Sequence, residues 1–117
     1  LIKGIDMKIT VMHKHHEIED GLTIVAEVKA PTSNVDDALE YAFRWTQNIS
    51  GSWSKKIGDD TNNRVEVLDI REDGLGLRST SVGDRMMFKD TEYEVASFGF
   101  EEVRDINKDV DINWESI

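Results

Sequence analysis

His13, His15 and His16, with Glu17 and Glu19 close behind, are the residues of this chain whose types and spacing come nearest to a metal site. On a strand, His13 and His15 project from the same face and would offer two imidazoles to zinc or nickel. The spacing matches no closed zinc motif and leaves the third and fourth ligands unassigned. Neither metal nor cofactor is therefore expected, and the histidines read as the polar approach to a turn. Nucleophilic chemistry finds no better footing. Ser52, Ser54, Ser79 and Ser81 lie outside any G-x-S-x-G elbow, and every histidine sits in one cluster near the start of the chain. Gly74-Leu75-Gly76 lacks the third glycine and the strand–helix setting of a dinucleotide loop, and no Walker-type phosphate loop is present. Carboxylates are abundant, but abundance does not pick out an acid–base pair. The expectation is a protein that is not an enzyme.

The elements that must position these residues follow from periodicity. The chain has 117 residues, 38% of them hydrophobic and 32% charged, which suits one domain with a core and a well-solvated surface. Residues 1–6 read as a remnant upstream of a natural start at Met7. Residues 7–100 read as a single α+β domain, and 101–117 as an acidic C-terminal segment. Met7, Ile9 and Val11 alternate with polar neighbours, as do Leu22, Ile24, Ala26 and Val28, with Asp20-Gly21 as the turn between two antiparallel strands. Ser33 is placed to cap a helix that carries Asp36 and Asp37 in its first turn. Val35, Ala38, Leu39, Ala42, Trp45, Thr46 and Ile49 form its apolar face, and Gly51 ends it. Beyond a polar loop, Arg64–Ile70 reads as a short strand. Asp84–Phe88 and Glu92–Phe100 read as a second hairpin turning at Asp90-Thr91, with Gly99 allowing a bulge or a close backbone approach. The fold class is α+β, a small antiparallel sheet of hairpins packed by one main helix.

Charge narrows the partners. Asp and Glu number 24 against 14 Lys and Arg, a formal net charge of −10. That balance argues against a nucleic-acid partner, whose phosphates require surplus cations. No cysteine is present, which removes disulfides and thiolate sites. No apolar run reaches the length of a membrane span, so no membrane partner is expected and a cytoplasmic location is. Tyr41–Gly58 forms an exception to the acidity. It carries Arg44, Lys55 and Lys56 with no acid, alongside Tyr41, Phe43, Trp45 and Trp53. A segment of this kind can hold an anion or stack a base, which supplies an alternative function, a small-ligand or nucleic-acid-binding module. The plainer reading packs Trp45 in the core with Trp53 shielding it. The acidic remainder could imitate nucleic-acid phosphates towards a DNA-binding protein, although net charge also simply maintains solubility.

Four segments together carry a resemblance. They are Ala42-Phe43-Arg44-Trp45-Thr46-Gln47-Asn48, Gly51-Ser52-Trp53-Ser54, Arg78-Ser79-Thr80-Ser81-Val82-Gly83-Asp84, and Tyr93-Glu94-Val95-Ala96-Ser97-Phe98-Gly99-Phe100. The chain resembles small uncharacterised proteins carried by bacteriophages, plasmids and actinobacterial genomes, with Thr80 standing where those proteins often have Leu or Met. The resemblance stops at Phe100 and supplies no chemistry. It implies an accessory protein of a mobile element; taken with the charge, the expectation is a protein that works in the bacterial host cytoplasm by binding a host or phage protein through an acidic or mixed surface. It also directs attention to one candidate surface: Arg44, Trp45, Asn48, Ser52, Trp53, Arg78, Ser79, Ser81 and Asp84. If the helix end packs beside the 78–84 turn, Arg44, Asn48, Arg78 and Ser79 would line a polar groove. An exposed edge strand in such a sheet would also permit a homodimer.

Overall fold

The computed structural model describes residues 6–15, 21–71 and 73–103. Among them the chain forms one α-helix and a six-stranded antiparallel sheet, an α+β architecture. In chain order the elements are β1 (Met7–Lys14), β2 (Leu22–Ala30), α1 (Val35–Arg44), β3 (Val65–Val67), β4 (Arg85–Phe88), β5 (Thr91–Val95) and β6 (Phe100–Glu102). Across the sheet the order is β3-β2-β1-β4-β5-β6. β1 therefore joins two locally built halves: the β1–β2 hairpin extended by β3, and the β4–β5–β6 meander. Helix α1 packs on β1 and β2, where Ala38, Leu39 and Ala42 meet Ile9, Val11, Ala26 and Val28. No helix of the chain is long and apolar enough to cross a membrane among the described residues.

The alternation in β2 is interrupted. Val11 pairs with Ala26, yet Met12 pairs with Ile24, so Val25 is an extra residue that bulges the strand. Because side chains alternate with a period of two, one inserted residue exchanges the faces on either side of it. Ala26 and Val28 face the helix as the pattern implies, whereas Leu22 and Ile24 turn to the opposite face and remain exposed. The expected single face of Leu22, Ile24, Ala26 and Val28 is corrected by this bulge. The Asp20 half of the expected turn lies outside the described residues.

The register across the strands also composes the second face. One row runs Glu66, Glu27, Thr10, Met87 and Glu92, and the next runs Ile24, Met12, Arg85, Glu94 and Glu101. The helix covers the other side of the sheet, so this face has a methionine pair at its centre and glutamates toward both edges.

Helix α1 is shorter than its periodicity suggests. Its cap is Asn34 rather than Ser33: the Asn34 Oδ1 accepts the Asp37 amide at 3.0 Å from an extended backbone. It stops at Arg44. The Thr46 hydroxyl donates to the Ala42 carbonyl at 2.8 Å and the Gln47 amide to the Phe43 carbonyl at 2.9 Å, so side chains satisfy the last turn. Ile49 is thereby left outside the helix and exposed. Gly51 does not end the helix. It lies in a tight bridge, where a Cβ would fall 1.9 Å from the Ile57 carbonyl oxygen.

The two tryptophans exchange their expected places. Trp53 is 1% exposed and donates its indole N–H to the Arg78 carbonyl at 2.9 Å, while Trp45 is half-buried beneath the Arg44 guanidinium. The bridge between Ser52 and Ile57 makes Trp53 part of a compact loop folded against the core. The expected strand Arg64–Ile70 shortens to β3, and the expected strand Glu92–Phe100 is two strands, β5 and β6, joined by a turn closed by the Ala96 N–H to Gly99 carbonyl bond at 3.0 Å. Gly99 serves that turn through its positive φ of 74°, with open space around the site of a Cβ, so neither a bulge nor a close approach is involved.

Gly51→Ala should lower stability by about 1–3 kcal/mol, since the methyl meets backbone that cannot yield as a side chain would. A urea denaturation midpoint equal to that of the wild type would contradict the close-approach role.

Candidate functional site

Part of the flagged set, His13 with Asn48, Trp53, Arg78, Ser79 and Asp84, meets at one junction between β1, the end of α1 and the 78–84 loop. At its centre is a hydrogen-bonded chain. Thr46 Oγ1 donates to the Ala42 carbonyl at 2.8 Å, Thr80 Oγ1 donates to Thr46 Oγ1 at 2.8 Å, and His13 Nε2 lies 2.9 Å from Thr80 Oγ1. Since each hydroxyl has spent its proton, His13 must donate to Thr80 as the Nε2–H tautomer. A histidine beside a threonine has the atom types of a base and a nucleophile. Here the proton order runs the wrong way for that chemistry, and Thr80 is 2% exposed. The arrangement closes a polar seam inside the core. His13 also meets Trp53 edge to face at 6.1 Å.

Burial lowers the His13 pKa to about 4, against a smaller opposing influence from the Asp84 charge; Arg78 adds to the lowering and Asp69 opposes it. The imidazole is neutral at physiological pH. The other two histidines do not join it. His15 is exposed and hydrogen-bonds Thr23, and His16 lies outside the described residues. Among the described residues, no three His, Cys, Asp or Glu side chains are placed to hold a metal ion.

Around this seam the 78–84 loop is fastened by an ion pair whose carboxylate is buried and whose guanidinium is partly exposed. Arg78 grips Asp84 in a two-pronged contact, Nη1 to Oδ2 at 2.7 Å and Nη2 to Oδ1 at 2.8 Å. The same carboxylate accepts the Lys14 and Ser81 amides, each at 2.8 Å, and Arg78 also donates to the carbonyl of Lys14 at 3.1 Å. Burial pushes the Asp84 carboxyl up, but Arg78, the two amides and His13 outweigh it, and the group is held below the ordinary aspartate range. On the helix side, Asn48 takes the Ser79 hydroxyl oxygen through its backbone N–H at 2.8 Å, donates to the Leu77 carbonyl and accepts the Trp53 amide.

Asp60 forms a second internal clamp that the sequence reading did not single out. Its Oδ2 accepts three consecutive amides, Ile49 and Ser50 at 2.8 Å and Gly51 at 2.7 Å, with Arg44 Nη1 at 3.5 Å from the other oxygen. Burial raises this carboxyl; the amides of Ser50, Gly51 and Ile49, then Arg44, bring it below its ordinary value. No local spacing signals the clamp, because its acceptor lies about ten residues beyond its donors.

The structure thus brings the helix end beside the 78–84 loop, with Asn48 bonded to Ser79. Arg44 turns away to Trp45 and Asp60, and Arg78 turns to Asp84 and Lys14. The Ser52 hydroxyl accepts the Lys55 amide, while Ser81 meets Arg78 at 3.3 Å. Each of these polar groups serves the fold.

Open surface lies elsewhere. A cleft of about 530 Å³ separates the C-terminal half of α1 from the β5–β6 hairpin; it is lined by Phe43, Gln47, Ile49, Val95 and Phe100, with Glu40 and Arg44 among its polar groups. Phe43 and Phe100 meet edge to face across it at 6.3 Å. At the tip of that hairpin Phe98 is 96% exposed. Its sequence signal is a break in parity: Tyr93 and Val95 share one set of alternate positions, and Phe98 and Phe100 fall on the other.

Two outcomes follow. Stability should rise with pH between about 4 and the ordinary histidine value of 6.5, because the unfolded chain binds a proton there that native His13 refuses. The difference should amount to about 2–3 kcal/mol in denaturation midpoints and should flatten in His13→Gln; an unchanged profile would remove His13 from the seam's energetics. Arg78→Ala should cost about 2–3 kcal/mol by leaving Asp84 buried without its cation, a loss read by thermal unfolding. Compared with known proteins, the chain matches no family model, no curated protein and no solved structure.

Proposed function

We propose that the chain is a non-enzymatic accessory protein of a bacteriophage or other mobile element, acting in the bacterial cytoplasm by binding a host or phage protein through the acidic end of its sheet. The observation that supports this reading is the charge on the last three strands. Glu92, Glu94, Glu101 and Glu102 gather there against the single base Arg85, which Glu92 and Glu94 already pair. Glu101 and Glu102 are exposed and lie at the margin of the sheet. A surface of one sign steers a basic partner and repels nucleic acid.

The interior lends further support. The polar side chains of the buried junction are occupied with one another, which directs recognition to the outside of the molecule. The basic aromatic segment 41–58 offers less to a ligand, since Trp53 is buried and Arg44 lies over Trp45 at 4.2 Å with its charge toward Asp60.

Affinity capture from a bacterial host lysate, with the wild type and with the double variant Glu101→Lys, Glu102→Lys, tests the proposal. The wild type should retain a stoichiometric protein at low salt, less of it at moderate salt, and the reversed variant little of it. Capture that survives charge reversal undiminished, or no capture at all, would sink the reading.

A further inference from the structure

We propose that β6 is an acceptor edge, to which a basic extended segment of the partner adds as a further strand. This rests on the acidic sheet end being the binding surface, and it specifies how that surface is read. The hydrogen bonds of the hairpin fix which backbone groups of β6 face outward. Ala96 bonds to the Gly99 carbonyl and Val103 to the Glu92 carbonyl, and Glu94 stands opposite Glu101 between them. In an antiparallel ladder, alternate residues exchange bonds with the neighbouring strand. Glu101 therefore turns its N–H and C=O toward β5, while those of Phe100 and Glu102 point away. β6 has no strand on its outer side among the described residues.

The side chains along this edge say what would fit. Phe100 shares the helix side of the sheet with Val95 and lines the apolar cleft with Phe43. An incoming residue opposite Phe100 thus meets apolar surface, with the exposed Phe98 at the nearby tip. A residue opposite Glu101 lands on the other face beside Glu94, and one opposite Glu102 meets a third carboxylate. The complementary strand carries Val, Ile or Leu at the first position and Lys or Arg at the others. A second copy of this chain fits poorly: two β6 strands about a two-fold axis at Glu101 would set like charges against one another. Charge complementarity selects a basic partner strand.

The test uses a blocked peptide of repeated Val-Lys-Lys triplets, labelled for fluorescence anisotropy, with the full chain. Binding should be salt-dependent and should weaken about tenfold in Glu102→Pro relative to Glu102→Ala, since both lose the charge but only proline loses the outward N–H. An N-methylated version of the peptide, which cannot form the ladder, should bind about tenfold more weakly to the unaltered protein. This arm needs no variant to fold. Equal binding of the methylated peptide, or none of the parent, overturns strand addition. A concentration-dependent dimer that excludes the peptide overturns it in favour of self-pairing. Lysate capture that responds to charge reversal but not to Glu102→Pro would leave the acidic surface standing and remove the strand.

Discussion

The fold depends on one carboxylate. Asp84 stands immediately before β4, accepts both prongs of Arg78 and the amide of Lys14, and is 1% exposed. By binding the last residue of β1 it sets the start of β4 alongside it, and the ladder from Thr10–Met87 to Met12–Arg85 follows. That ladder is short and is the place where the two halves of the sheet join. A charge withdrawn from water is costly when alone and nearly neutral when fully bonded, so the pair acts more as a constraint on geometry than as a source of net stability. Within that frame His13, Thr80 and Thr46 align, and Trp53 is held with its indole on the Arg78 carbonyl.

This arrangement explains how much could be read from the residues. Helix α1 was legible because its apolar spacing is local, and so were the two hairpins and the polar turn at 78–84. The limits of α1 were less so, because Thr46 and Gln47 have ordinary helical spacing and reveal their capping role only through carbonyls behind them. Leu22, Ile24, Ala26 and Val28 alternate without a flaw, and nothing in β2 alone announces the bulge at Val25, which exists by register with β1. The Trp45–Trp53 exchange has the same origin, a loop bridge between Ser52 and Ile57 that only tertiary packing selects.

The candidate surface shows a related limit. Asn48, Ser79, Arg78 and Asp84 do gather, but they meet one another. Polar residues that are rich in donors and acceptors attract attention as binding groups, and the same richness makes them the natural means of satisfying buried loop backbone. Thr80 lies at the middle of this bonding. The surface that the proposed function assigns to recognition is formed by simpler groups, the glutamates at the sheet end and the aromatic wall of the cleft behind them.

The strand order has a consequence for synthesis. β1 is translated well before β4, which must take the place beside it. While the intervening residues are made, the β1–β2 hairpin can form, but the other margin of β1 stays unsatisfied, with Val11 and Met12 along it. A nascent chain in that state offers a sticky template to any neighbouring polypeptide, and ribosome pausing upstream of Arg85 would prolong the exposure. Elongation speed through the 68–84 connection therefore bears on yield, beside the stability of the finished protein.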